Sequence, residues 1–406
     1  MDLSAVLADA RAIAPSLAQL RRDLHEHPEL GLFLPRTQER ILRALAGLDV
    51  RVHLGRTSSS IVAVLGADRD GPAVVLRADM DALALTESAG ADPVSAVSGR
   101  MHACGHDLHS AMLAGAARLL AARAGELAGR VVFVWQPGEE GHEGMQAMLD
   151  DGLAELIGPG AVASYALHTV TDVVSHGVFS GRSGASHASS ATVEIIVRGR
   201  GGHAAFPHHT ADPLPGAAEI VLALQTRLTR AVDVFDPAVV SFGSIHGGTA
   251  ANVIPDHVEL RGTVRTFSAA QARRLPELIE QVATAVAAAH GLTAEVRYAP
   301  GYPAVLNDEH EVGVFREAVE ELFGADRFAP LPVPIPAGDD YARLLERVPG
   351  AFFLLGAGLA AADGEIHPNH SPHAVFDDAV LADGAAVLAA VSARRLAEAA
   401  GGEGPR

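Results

Sequence analysis

The chain has 406 residues, 49% of them hydrophobic, a formal net charge of -18 and a single cysteine. That length exceeds what one core usually supports, so two domains are expected. The negative charge excludes nucleic acid and an anionic membrane surface as natural partners, and the lone cysteine excludes an intramolecular disulfide.

The N-terminus, MDLSAVLADARAIAPSLAQLRRDL, has no basic region followed by an apolar run, so it reads as an amphipathic helix and not as a signal peptide. No apolar stretch is long enough to span a membrane, and a cytoplasmic location is expected. Short apolar runs at Ile61–Leu65, Ala73–Leu76, Val131–Trp135 and Ala163–Leu167 predict buried strands. Helical stretches such as Leu108–Leu127 lie between them, so parallel β/α units are expected. Polar residues follow these strands at once: Arg77, Asp79 and Asp81, then Gln136, Glu139 and Glu140, then His168. Open α/β sheets carry their sites beyond the carboxyl ends of the strands, so these residues aim at one edge.

The stretch Ser180–Ser190, SGRSGASHASS, has the small polar composition of a hinge or linker. Beyond it the pattern reads strand Ala191–Val197, helix Pro213–Thr229, strands Val239–Ile245 and His257–Thr266, helix Ala269–His290 and strand Ala294–Ala299. That β-α-β-β-α-β order is ferredoxin-like. The chain turns again around Pro300–Val312, and Val375–Ala400 ends in a helix. The expected organisation is a larger α/β domain from residues 1–186 and 302–406, with a smaller α+β domain, residues 187–301, inserted into it.

Within MHACGHDLHS, Cys104 and His106 have the spacing for a thiolate and an imidazole to share one transition metal. His102 and His109 are further candidates. A lone cysteine is more often a small buried hydrophobe, but the surrounding histidines favour a ligand. In QPGEEGHE, adjacent carboxylates can divide the labour, one binding metal and one handling a proton. His168 and His370 complete the metal-competent set. Asp79 and Asp81 suit supporting positions, with an Arg77 ion pair as the alternative. His203 follows a glycine-rich turn in GRGGHAAFPHH, Asn252 lies in GGTAANVIPD and Arg265 in GTVRTF. An arginine fork suits a substrate carboxylate, though a plain surface charge would look the same. Other signatures fail. HEHPE at His25 lacks the second histidine of HExxH, GRSGA misses GxSxG, and no dinucleotide or kinase set is present.

Taken together, LRRDLHEHPELG, LRADMDAL, MHACGHDLHSAMLAGAA, QPGEEG, ALHTV, GRGGHAAFPH, GGTAANVIPD, GTVRT, AGDDYARLLERVPGAFFLLGAG and NHSPHAVFDD resemble the aminoacylase, hippurate-hydrolase and auxin-conjugate-hydrolase branch of the co-catalytic zinc exopeptidases. The resemblance runs through nearly the whole chain. It implies a catalytic domain with a mostly parallel sheet and an inserted lid or dimerisation domain. It implies hydrolysis of the amide bond of small N-acyl amino acids by a homodimer or dimer-based assembly. Position by position, Cys104, His106, Glu140, His168 and His370 match the ligands of two divalent metal ions, and Glu139 matches the general base. Asp81 matches the aspartate supporting the metals, and His203 the lid histidine that polarises the scissile carbonyl, often from the partner subunit. Asn252 and Arg265 match lid residues near the substrate. Ligand softness admits Zn, Mn, Co or Ni.

Departures from the pattern are Leu34 for an acidic residue, Ala84 for proline, His142 and Glu143 where small residues are usual, and DDY at Asp339–Tyr341 for EDF. None removes a ligand; the last is expected to bear on substrate preference. Two competing readings are a thiol amidase built on Cys104 and a non-catalytic metal-dependent binding protein. Glu139 argues against the second.

Overall fold

The computed structural model describes residues 1–88 and 93–402. The chain divides into two compact units. Met1–Ser186, Leu306–Pro332 and Arg343–Arg406 form the larger, and His187–Val305 with Val333–Ala342 the smaller.

The larger unit is built on one eight-stranded sheet. Its spatial order is Val50–Leu54, Ile61–Leu65, Arg130–Gln136, Ala73–Asp79, Ala161–Val170, Gly350–Gly356, Phe179–Gly181 and Phe328–Pro330. The four strands from Arg130–Gln136 to Gly350–Gly356 run parallel. Antiparallel pairings flank them on both sides. The central strands carry apolar runs without alternation, buried from Ala73 to Leu76, Val131 to Trp135 and Ala351 to Leu355, as strands covered on both faces must be. Helices Leu3–His25, His106–Ala121 and Leu381–Ala400 pack on one another. Small residues let them approach. A Cβ on Gly384 would stand 2.1 Å from the Met112 sulfur, and one on Gly115 2.8 Å from the Ala385 Cβ.

A buried ionic contact ties this packing to the sheet. In helix Glu309–Phe323, the Glu311 carboxylate accepts from Arg395 Nε at 2.8 Å and from the Tyr165 hydroxyl. All three side chains are buried, and burial pushes the Glu311 carboxyl up. Removing one member of such a pair leaves an uncompensated charge. Arg395→Met is therefore expected to cost about 3–5 kcal/mol in urea unfolding, and adding Glu311→Leu should recover most of the loss. A double variant no better than the single would show that packing, not charge, sets the cost.

The smaller unit is a four-stranded antiparallel sheet in the order Ala238–His246, His257–Thr266, Ala191–Arg198, Thr293–Pro300. Val193, Ile195, Val197, Val258, Leu260 and Val264 form a core with helices Pro213–Ala231 and Ala269–Ala289. Glu194, Glu259, Arg261, Glu295 and Arg297 form an exposed lattice of ion pairs across its strands. The β-α-β-β-α-β order is the one read from the sequence. The entering and leaving strands are neighbours, with Ala191 opposite Pro300.

The boundaries differ from the sequence reading in three places, the first being residues 302–305, which cluster with the smaller unit and not the larger. Val333–Ala342, assigned above to the larger domain, clusters with the smaller unit; the Ala188 N–H donates to the carbonyls of Ile335 and Ala337. The Ser180–Ser190 stretch is not a solvated linker. It contains strands Phe179–Gly181 and Gly184–His187, and Ser180, Ser186 and Ser189 are buried. Small residues serve close contact here: a Cβ on Gly181 would stand 2.5 Å from the Phe353 ring. Among the described residues, no helix is long and apolar enough to cross a membrane.

Candidate metal centre

Three parallel strands deliver the site. Ala73–Asp79 brings Asp79 and, just beyond it, Asp81; Arg130–Gln136 leads into Glu139 and Glu140; Ala161–Val170 carries His168. Cys104 and His106 open the helix His106–Ala121. Gly105 between them has φ +84°, and a Cβ there would stand 2.2 Å from Thr169 Oγ1, so only glycine fits this turn.

Cys104 Sγ lies 3.2 Å from His370 Nε2 and 3.5 Å from His168 Nε2. His370 Nε2 is 3.1 Å from Glu140 Oε1. One ligand atom each from Cys104, His106 and Glu140 falls within a 4.8 Å circle of the others. All five residues matched as ligands thus belong to one cluster. Both His106 ring nitrogens are buried without a hydrogen-bond partner, their nearest carboxylates, Asp79 and Asp81, standing at 3.7 and 3.6 Å. Each such orphan costs about 1–3 kcal/mol unless something binds it. A soft thiolate, imidazoles with orphaned nitrogens and a carboxylate converging on one spot fit a transition-metal ion.

Electrostatics agree. Burial disfavours charge on His106, but Asp79, Cys104 and Asp81 outweigh it and raise its proton affinity well above the usual value. Hydrogen bonds to Cys104 and Glu140 push His370 up to about 10. Burial opposes ionisation of Glu140, yet His370 and His106 lower its carboxyl. The carboxylates around these imidazoles thus favour positive charge at this spot.

Supporting contacts hold the cluster. Asp81 accepts the backbone N–H groups of Glu139 and Glu140 at 3.0 Å each, one on either carboxylate oxygen. A single side chain therefore fixes both residues of the carboxylate pair. The His168 Nδ1–H donates to the Thr169 carbonyl at 2.8 Å, leaving Nε2 toward the thiol. Asp79, His106, His109 and His168 form a second close group, but His109 has no nitrogen to spare. Its Nε2 accepts the Thr169 N–H at 2.7 Å, so Nδ1 donates to Asp79 at 2.6 Å. His109 is a support, not a ligand. Arg77 pairs with Asp79 at 2.6 Å, which realises the ion pair read as the alternative role for that aspartate.

Asn369 escaped the sequence reading. Its Nδ2 donates to the Thr169 carbonyl at 3.0 Å and the Cys104 carbonyl at 3.3 Å, while its Oδ1 accepts from Thr171 N–H. The signal was its place directly before His370. That histidine has φ +67°, a left-handed conformation that costs roughly 1–2 kcal/mol, and its N–H is tied to the Ala103 carbonyl. Behind the cluster, His25 stands between Asp107 at 2.7 Å and Glu87 at 3.1 Å. A carboxylate on each ring nitrogen requires both to carry protons; burial opposes this, but Asp107 and Glu87 raise the group. His102, named as a candidate ligand, is buried with both ring nitrogens unpartnered, and burial lowers it to about 4.

His203, Asn252 and Arg265 belong to the smaller unit. His203 pairs with Val253 in a two-stranded ribbon, and the Ala204 N–H donates to the Asn252 carbonyl. His203 is exposed. Its Nδ1 accepts from the Ala205 N–H at 3.1 Å, so its proton sits on Nε2, free to donate. Arg265 lies half-buried in the strand His257–Thr266.

The profile of "Peptidase family M20/M25/M40" matches residues 75–394. N-acetylcysteine deacetylase of Bacillus subtilis is 36% identical over 348 residues, 85% of this chain and 89% of that protein. IAA-amino acid hydrolase ILR1-like 4 of Arabidopsis thaliana is 35% identical over 383 residues, 93% of this chain and 85% of that one. Among solved structures, the Bacillus subtilis YXEP protein, described as a dinuclear metal binding peptidase from the M20 family, superposes with a TM-score of 0.83 at 32% identity, covering 95% of this chain and 99% of that one. With the thiol, imidazoles and paired carboxylates gathered at the sheet edge and these matches spanning both units, the chain belongs to peptidase family M20/M25/M40.

Proposed function

We propose that this protein is a metal-dependent amidohydrolase that cleaves the amide bond of small N-acyl amino acids. The observation that carries it is the Asp81 clamp: one carboxylate holds the backbone of both Glu139 and Glu140, beside a thiol and imidazole cluster with unsatisfied donor atoms. The names of the relatives, a deacetylase of an N-acetyl amino acid and a hydrolase of amino-acid conjugates, support the substrate class.

Cys104, His106, Glu140, His168 and His370 hold two divalent ions, of Zn, Mn, Co or Ni. When bound, these ions supply Lewis-acid polarisation and lower the pKa of a water toward about 7. Glu139 takes the proton from the attacking water and delivers it to the leaving nitrogen. His203 Nε2–H donates to the oxygen that becomes negative as the carbonyl is attacked. Arg265 and Asn252 hold the amino-acid carboxylate, for which the guanidinium offers a fixed two-pronged fork. The protein works as a homodimer or a dimer-based assembly through the smaller unit, with no nucleic acid or membrane partner, in the cytoplasm.

The contact of 3.2 Å between Cys104 Sγ and His370 Nε2 also suits a thiol nucleophile with its base. Chelation separates the two readings. Dialysis against a chelator should abolish hydrolysis of N-acetyl amino acids, and a divalent metal should restore it. Alkylation of metal-loaded enzyme should leave turnover intact, because the thiolate is engaged. Full activity in metal-free protein, with loss on alkylation, would establish the thiol amidase instead.

A further inference from the structure

Two departures from the resemblance, His142 and Glu143, sit on the loop that carries Glu139 and Glu140. The loop is tightly wound: Gly141 N–H donates to the Glu139 carbonyl, and Gly144 N–H to that of Gly138. A Cβ on Gly144 would stand 1.8 Å from the Pro137 carbonyl oxygen, so only glycine fits this turn. On one side the His142 ring packs over Gly31, where a Cβ would meet it at 3.4 Å. On the other, Glu143 adopts φ +54° and opens the helix Gly144–Asp150. Glycine would take this conformation freely. The glutamate instead sends its carboxylate to Arg343 in the short helix Ala342–Leu345, with Oε2 2.6 Å from Nη2 and 2.8 Å from Nε. Two nitrogens of one guanidinium on one partly shielded oxygen make a charge-assisted contact with defined geometry. It joins segments 200 residues apart.

We propose that the Glu143–Arg343 pair is a positioning clasp that sets the placement of the loop bearing the ligand Glu140 and the base Glu139. It rests on those two assignments. A rim pair on a mobile surface would contribute little. This one bridges a strained residue three positions from Glu140 to a different segment of the chain, so releasing it lets the carboxylate pair drift from the thiol and imidazoles. The clasp touches no substrate; it acts through Glu139 and Glu140.

The test uses purified full-length protein and the variants Glu143→Gln, Glu143→Gly, Arg343→Met and the reversed pair Glu143→Arg with Arg343→Glu. Zinc affinity is read by competition with a chromophoric chelator, kcat and KM on an N-acetyl amino acid, and folding by thermal melting. Each single variant should weaken zinc about tenfold and lower kcat about tenfold, with KM nearly unchanged. Glu143→Gly should do so without loss of thermal stability, because it relieves the backbone while breaking the clasp. The reversed pair should regain most of both losses. Single variants matching wild type in zinc affinity and kcat, or a reversed pair no better than the singles, would overturn the clasp. Wild-type protein that takes up no zinc would instead overturn the ligand assignment beneath it, a result visible before any variant is made.

Discussion

Glu139→Gln is expected to lower kcat by about 10²- to 10⁴-fold while both metal ions stay bound. Glutamine keeps the shape of the side chain and cannot take a proton. The backbone at this position is held by Asp81 through the N–H group, which the substitution does not touch. The loop should therefore keep its course, and Glu140 its place beside His370. Glu140→Gln should behave in the opposite order, losing metal first and turnover as a consequence. Metal analysis beside single-turnover kinetics separates the two. Equal metal loss in both variants, or persistent turnover in Glu139→Gln, would overturn this division of roles between the two carboxylates.

His203→Ala should lower kcat by about 10²- to 10³-fold, the usual cost of one donor to a developing oxyanion, with metal content unchanged. The hydrogen bond from Ala205 N–H leaves Nε2 as the protonated atom, so the side chain is already in the donating tautomer. Mixing His203→Ala chains with Glu139→Gln chains asks from which chain the donor comes. Recovered activity after subunit exchange means that one chain's histidine serves its partner's metals. No recovery, with exchange verified, means that each chain serves itself. A His203→Ala enzyme with wild-type kcat would remove the residue from the chemistry altogether.

Local pattern made much of the architecture legible. The apolar runs Ile61–Leu65 and Val131–Trp135 are too short for helices and end in turn residues, and both are strands. The alternation in Ala191–Arg198 and its successors exposed the smaller unit. Gly350–Gly356 was not read as a strand, although it lies inside the large sheet. Its apolar stretch AFFLL lacks the β-branched residues that mark IVAVL and VVFVW as strands. Helix Glu309–Phe323 and the edge strand Val50–Leu54 also went unread. At the site, the candidate ligands were legible because metal chemistry restricts them to a few side-chain types. Of their supports, Asp79 and Asp81 were legible from their place after a strand, and those brought in from distant segments were not. His25 meets Asp107 across 82 positions, and Asn369 meets Cys104 across 265. Nothing in a polar side chain's own neighbourhood announces a partner that only the fold supplies. The transfer of Val333–Ala342 to the smaller unit has the same origin, since backbone hydrogen bonds to Ala188 leave no trace in composition.

The paired ends of the inserted unit bear on how the chain folds. The larger sheet must unite strands from before and after the insertion, with Gly350–Gly356 beside Ala161–Val170. Were the insertion still unfolded, that union would close a loop of over a hundred residues. Once the smaller sheet has formed, Ala191 and Pro300 are already opposite each other, and the open chain shrinks to the roughly 70 residues outside Ala191–Pro300. By polymer statistics the difference is worth about 0.8 kcal/mol of closure entropy. The insertion thus acts as an internal staple for its host, and assembly from the inside outward becomes the less obstructed route.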